Sequence, residues 1–288
     1  MHKYLCALVL IFSTHALSEP LYWSAERGKL KYLIVGSVHV GDDSMYPLPE
    51  KISKTLAKSS GLILEADIRK TEGLQYPAAT LVSHNVLNKQ QQKDLAGIAN
   101  LLELNPSEML NAPPWAAALT IQMRQIQYLG YQADNGVDVH LMNKATLRNV
   151  PVLGLEPLQF QVDLLTGQKE GGKELLTSTI EQFDHNENAI HCLIDSWKAG
   201  DLKKLNQFAK LTEMSPEFEQ AFLTDRNLNW VEKLDDPSWL PNKKGQYVMV
   251  VGTLHLIGEG NVVSLLKEKG FRVKQLSTSE QAKCEFKY

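Results

Sequence analysis

The chain has 288 residues, of which 43% are apolar, 22% charged and 8% aromatic, with 18 Gly and 12 Pro. This composition excludes a disordered, collagen-like or coiled-coil protein. The formal charge is −3 and no run of adjacent basic residues exceeds two, as at Lys203–Lys204 and Lys243–Lys244, so the electrostatic footprint of a nucleic-acid partner is missing.

Met1-His2-Lys3 is short and basic, Tyr4 to Phe12 is apolar and uncharged, and Ala16-Leu17-Ser18 offers small residues at a cleavage point. That order is the pattern of a secretory signal peptide over residues 1–18. The apolar run covers about half of the ~20 residues a membrane helix needs, so no stable membrane span is expected. The expected mature chain, residues 19–288, is exported to a bacterial periplasm or secreted. It keeps Cys192 and Cys284, which export would allow to pair, although sequence does not show whether their Cα atoms lie close enough. Neither cysteine has the CxxC spacing of a redox or zinc motif.

Leu21-Tyr22-Trp23 and Lys29 to Val38 flank Glu26-Arg27-Gly28 and read as a hairpin. Pro49 to Lys58 reads as a helix and Gly61 to Ala66 as a short buried strand, together a βαβ unit that would set strands 31–38 and 62–65 side by side. Gln90 to Leu104 and Pro114 to Leu129 carry helical spacing, and Asp138 to Arg148 leads as a helix into a strand at Val150 to Leu155. Further helices are marked by Ile190, Leu193, Ile194 and Trp197, by Leu202, Leu205 and Phe208, and by Pro216 to Leu234. The end repeats the opening plan, with a strand at Tyr247 to Val251, a helix at Gly260 to Lys269 and a strand at Phe271 to Leu276. The predicted fold is one α/β domain over 19–288, with a central mixed, partly parallel sheet built from both ends of the chain and a helical insertion near residues 70–150.

Both end units carry Gly-x-x-His as the strand closes: Gly36-Ser37-Val38-His39 and Gly252-Thr253-Leu254-His255, each followed by a glycine, Gly41 or Gly258. Ligands in open α/β sheets bind beyond the C-terminal ends of strands. Glu65 closes the apolar Gly61–Leu64 run, and a carboxylate there is costly to bury without a cation or donor. Two imidazoles and a carboxylate suit Zn²⁺, Mn²⁺, Fe²⁺ or Co²⁺ with positions left for water. They also suit metal-free chemistry with His as general base and Glu as its orienter.

In order along the chain stand Gly36-x-x-His39-x-Gly41-Asp42, Tyr46-Pro47-Leu48-Pro49, Leu64-Glu65, Pro114-Trp115, Gly136-Val137-Asp138, Gly154-Leu155-Glu156 with Gln159, Trp197-x-x-Gly200-Asp201, Asp225-Arg226-Asn227 and Val251-Gly252-x-x-His255-Leu256-x-Gly258. This ordered set resembles the TraB/GumN family, whose animal members include the Tiki proteases, and the resemblance spans nearly the whole mature chain. It implies a peptidase dependent on a divalent metal, Mn²⁺ or Co²⁺ foremost, with His39, Glu65 and His255 as ligands and a peptide or protein as substrate. The wider superfamily includes erythromycin esterases that use His and Glu without metal, and haem-uptake lipoproteins. A periplasmic haem- or metal-binding protein without turnover and a metal-free His/Glu esterase therefore stand as alternatives. Leu254 departs from the small residue that many relatives carry before the second histidine.

Arg226, Glu156 and Asp42 carry two readings each. Arg226 is read as an oxyanion stabiliser or as an ion pair fixing a helix to the sheet. Glu156 is read as general base or further ligand, or as a charge at a helix start. Asp138 reads as an N-cap, and Asp42, like Asp43 and Tyr46, as a residue at the mouth of the site or in a solvated loop. Ser37 and Thr253 lack a Gly-x-Ser-x-Gly elbow, which speaks against a serine hydrolase. His84, His140, His185 and His191 are expected at the surface, and Trp115, Trp197 and Trp230 in the core.

Overall fold

The computed structural model describes residues 18–287; the expected signal peptide lies outside them apart from Ser18. No described helix is long and apolar enough to cross a membrane.

Strands β1 (Tyr22–Arg27) and β2 (Leu30–Ser37) form the expected antiparallel hairpin. Helix α1 (Glu50–Leu56) buries Ile52 and Leu56 and leads to β3 (Gly61–Leu64), which is buried at every position. Four helices follow: α2 (Ser83–Val86), α3 (Lys89–Leu101), α4 (Pro106–Asn111) and α5 (Pro114–Tyr128). Their starts are chemically marked. Asn88 caps α3 through the Gln90 and Gln91 amides, Asn105 caps α4, and Pro106 and Pro114 occupy first-turn positions where no N–H is needed.

Helix α6 (Val137–Leu147) feeds β4 (Val152–Gly154), and α7 (Leu158–Thr166) follows. Helix α8 (Lys173–Ala199) runs for 27 residues and ends at Gly200. There φ is +60°, and a Cβ would lie 2.6 Å from the Glu19 carbonyl, so only glycine fits. Asp201 then caps α9 (Leu202–Leu211) and also accepts the Ala282 N–H, fixing the C-terminal tail. Helices α10 (Pro216–Glu219) and α11 (Asp225–Asp235) are joined by a π turn at Gln220–Thr224. Strand β5 (Gln246–Gly252), α12 (Val262–Glu268) and β6 (Arg272–Gln275) complete the fold.

The six strands form one mixed sheet in the order β4-β3-β5-β2-β1-β6. Pairings β4–β3, β3–β5 and β5–β2 are parallel, whereas β1 is antiparallel to both of its neighbours. The α/β class and the sheet built from both chain ends match the sequence reading. Two neighbour relations do not. Strand β5 is inserted between β2 and β3, so the first βαβ unit is not an adjacent pair. Strand β6 pairs with β1 rather than with β5. The cause is the apolar run of β5, buried at five successive positions, which belongs at the centre of a sheet covered on both faces.

The main core joins the sheet to Trp197, Trp230 and α12, while a second core gathers Leu95, Ile98, Ala117, Ile121, Leu176 and Ile180 from α3, α5 and α8. Cys192 and Cys284 are joined in a disulfide.

Candidate active site

Four adjacent parallel strands deliver one chemically active side chain each from the same end. Glu156 follows β4, Glu65 follows β3, His255 follows β5 and His39 follows β2. The register pairs Ser37 with Gly252, so the two Gly-x-x-His motifs leave the sheet side by side. Thr253 Oγ1 donates to the Ser37 carbonyl at 2.9 Å, locking one motif to the other.

His39 and Glu65 approach each other across the end of β5 because Gly252 stands between them. Its N–H donates to Glu65 Oε1 at 2.7 Å. A Cβ there would lie 3.2 Å from that oxygen and 3.7 Å from His39 Nε2. A side chain at this position would crowd the Glu65 carboxylate.

Glu65 Oε1 lies 3.9 Å from both His39 Nε2 and His255 Nε2. Each ring is oriented from its other nitrogen. His39 Nδ1 meets Asp138 Oδ2 at 3.2 Å, and His255 Nδ1 meets Asn227 Oδ1 at 2.7 Å. An acceptor on Nδ1 holds a proton there and turns the Nε2 edge of each ring inward, an arrangement that also orients metal-bound imidazoles. Asp138 is thus a histidine partner and not an N-cap, because the cap of α6 is Gly136.

Arg226 fills the other side of Glu65. Its Nη2 contacts Glu65 Oε2 at 2.6 Å and Glu156 Oε1 at 2.7 Å, and its Nε reaches Glu156 Oε2 at 3.2 Å. Its Nη1 donates to the Phe222 carbonyl at 3.0 Å, within the π turn, and meets His255 Nε2 at 3.2 Å. All five guanidinium protons have protein acceptors. Glu156 is equally engaged, since Gln161 Nε2 and Trp230 Nε1 donate to it at 2.9 Å each. These contacts make Arg226 and Glu156 a buried ion pair. Trp230, read as a core residue, is in the core and also ties Glu156 in place.

The electrostatics follow. Burial pushes the Glu65 pKa up, but His39, His255, Arg226 and the Gly252 N–H outweigh it and hold the carboxyl at about 2. Crowding by protein lowers the His39 pKa, yet the Asp138 hydrogen bond and the Glu65 charge raise it further, leaving it well above the ordinary value. Burial, followed by Arg226 and His39 against the pull of Glu65, brings His255 down to about 4. The two rings differ in access as well. The His39 side chain is 60% exposed and that of His255 6%, so His39 is the one that meets incoming molecules.

A cavity of about 280 Å³ opens beside His39 and Glu65, with Ser37, Asp138, Ile68 and Gln161 in its wall. Ser37 Oγ and Asp138 Oδ1 are buried there without a protein partner. A groove of about 920 Å³ runs beside it between Asp67–Pro77 and Gly154–Gln159.

The donor set of two imidazole nitrogens and a carboxylate suits a borderline divalent cation. The spacing is wider than a closed site. Ligand bonds of ~2.1 Å at a tetrahedral angle put N and O about 3.4 Å apart, against the 3.9 Å found here. Among the described residues no three His, Cys, Asp or Glu side chains are already set to close on a metal. Closing the site requires an inward shift and release of His255 Nε2 by Arg226.

Other expectations resolve simply. Asp42 caps a turn through the Ser44 N–H, and Tyr46 donates to the Asn135 carbonyl and stacks on His140 at 4.0 Å. His140 is therefore half-buried, contrary to the surface position expected, whereas His84, His185 and His191 are exposed.

The model of the TraB/PrgY/gumN family matches residues 21–275. The chain belongs to this family. Two relatives bear the description "Uncharacterized protein YbaP". The one from Escherichia coli K12 is 29% identical over 242 residues, covering 83% of this chain and 89% of the relative. The one from Shigella flexneri is 30% identical over 236 residues, covering 81% and 87%. No solved structure gives a match. Within this TraB/PrgY/gumN chain, the sequence singles out the four strand-end residues and Arg226, and the fold brings them together. The sequence does not reveal what orients them, Asp138, Asn227, Gln161 and Trp230, although Asp138 and Asn227 both stand inside the family motifs.

Proposed function

We propose that this chain is an exported hydrolase of peptide bonds, with a divalent cation held by His39, Glu65 and His255. The observation that carries the reading is the approach of both Nε2 atoms to 3.9 Å from Glu65 Oε1, each ring fixed from behind by an oxygen acceptor. A cation held there, Mn²⁺ or Co²⁺ ahead of Zn²⁺ or Fe²⁺, supplies a water of lowered pKa and a Lewis acid for the scissile carbonyl. Asp138 stabilises positive charge on His39 whenever that ring carries a proton. Glu65, kept ionised by its neighbours, is placed to accept a proton from a water in the cavity. Arg226 and Glu156 hold Glu65 in position rather than touch the substrate. The Cys192–Cys284 disulfide supports the exported reading, because such bonds persist in oxidising compartments.

The contact between Arg226 and His255 Nε2 favours a second reading, in which no metal binds and His39 shuttles the proton for hydrolysis. Residues 19–288 dialysed against Mn²⁺, Co²⁺ or Zn²⁺, with metal content and turnover measured together, separate the two. The metal reading predicts stoichiometric metal that is lost in His39→Ala, and turnover abolished by chelator and restored by metal. Turnover indifferent to chelator but lost in His39→Ala establishes the metal-free reading. Bound metal or haem without any turnover makes the chain a binding protein.

A further inference from the structure

Strand β4 is the edge of the sheet at the site's end. Its parallel ladder with β3 uses the Pro151 carbonyl, the backbone of Leu153 and the Leu155 N–H. By strand alternation Val152 and Gly154 turn their N–H and C=O groups the other way. Among the described residues nothing bonds to those four groups. An unpaired edge of this kind is a template for another strand, and proteins ordinarily cover or charge it. The segment best placed to cover it, Asp67–Pro77, is committed elsewhere. Gln159 Oε1 accepts the Gln75 N–H at 2.8 Å and Gln159 Nε2 donates to the Gln75 carbonyl at 2.9 Å, pairing the segment with α7. Between the two lies the 920 Å³ groove, with Gly154 and Glu156 on one wall and Tyr76, 62% exposed, on the other.

We infer that the free edge of β4 receives an extended segment of the polypeptide substrate as an added strand, with Tyr76 and Leu74 contacting its apolar side chains. The backbone of Val152 and Gly154 would read the strand without regard to sequence, and the groove wall would select side chains at alternate positions. The edge lies two residues before Glu156, and a strand seated there would stand next to β4 and two strands from β3, which carries Glu65. A small ester has no use for such an edge, whereas an unfolded or strand-forming polypeptide does. The inference rests on the hydrolase reading for the identity of its ligand, but binding tests it without turnover.

The probe is a labelled hexapeptide of alternating valine and threonine, with two counterparts N-methylated at alternate amides in the two registers. Binding is read by anisotropy on the His39→Ala variant, which prevents cleavage, and by hydrogen exchange at individual amides. The expected result is slowed exchange at Val152 and Gly154 on adding peptide, and about tenfold weaker binding for one methylated register only. Val152→Pro, which removes an outward N–H and no ladder bond, should weaken binding to a similar extent. Hydrogen exchange on the unsubstituted edge gives the answer even if that variant misfolds. No peptide binding, binding without protection at Val152 and Gly154, or equal affinity for both methylated registers overturns the inference. Protection that is present without peptide and grows with protein concentration assigns the edge to a second copy of the chain and likewise overturns it. Binding with protection, accompanied by no cleavage in the unsubstituted protein, sinks the hydrolase reading alone.

Discussion

The guanidinium of Arg226 joins Glu65, Glu156, His255 and the Phe222 carbonyl into one buried network. Replacing it with Met leaves two buried carboxylates without a cation, a loss of about 3–5 kcal/mol. Urea denaturation of Arg226→Met should show that loss, and adding Glu156→Gln should recover part of it by removing one of the stranded charges. Recovery of nothing would mean that the pair does not hold this part of the fold together. Asp138 acts differently, since it touches only His39 Nδ1 and leaves its other oxygen facing the cavity wall. Asp138→Asn keeps an acceptor but loses the charge, so turnover should fall by about 10–100-fold with the melting temperature unchanged. Activity equal to the parent would remove Asp138 from the site.

At the scale of elements, α6 has two tasks, because it carries Asp138 to His39 and His140 to Tyr46. Burial, then the nearby Lys144 charge, lowers His140 to about 4 from 6.5. Between those values the unfolded chain binds a proton that the folded one refuses, so stability is full above pH 6.5 and falls as pH drops toward 4. Denaturation of His140→Phe should lack about 1–2 kcal/mol of that acid dependence, allowing for the partial exposure of the ring. An unchanged slope would mean that His140 titrates as freely in the folded state as in the unfolded one. The elements themselves were legible wherever their signals were local. The Glu26-Arg27-Gly28 turn and both Gly-x-x-His strand ends were readable from neighbouring residues. The first half of α8 was not, because Lys173 to Asn188 is largely polar and meets the second core through Leu175, Leu176, Ile180 and Phe183.

For the whole molecule, the decisive fact is where β5 goes. Its place between β2 and β3 pairs Ser37 with Gly252 and brings His39 and His255 to one point. No local pattern reports a pairing between segments so far apart, which is why the site residues could be named from sequence while their contacts could not. The same holds for Asp138, which reads as a helix-start residue, and for Asn227, which carries no reading of its own, until the sheet places a histidine against each. The C-terminal tail closes the fold through Asp201 and the disulfide, which spans 92 residues of sequence. Its reduction should cost about 3–5 kcal/mol in the chain-entropy account. A thermal melt with and without reductant checks this, and identical melting temperatures would show that the tail contributes no constraint.

The central claim, that the sheet end holding His39, Glu65 and His255 is a hydrolytic centre, is tested most directly by cleavage of a diverse peptide mixture read by mass spectrometry. The assay uses residues 19–288 with Mn²⁺ or Co²⁺, alongside His39→Ala and Glu65→Gln. The account predicts new peptide termini with the parent protein and none with either variant, both variants remaining folded. Cleavage that persists in the variants, or no cleavage by the parent under any metal, would contradict it.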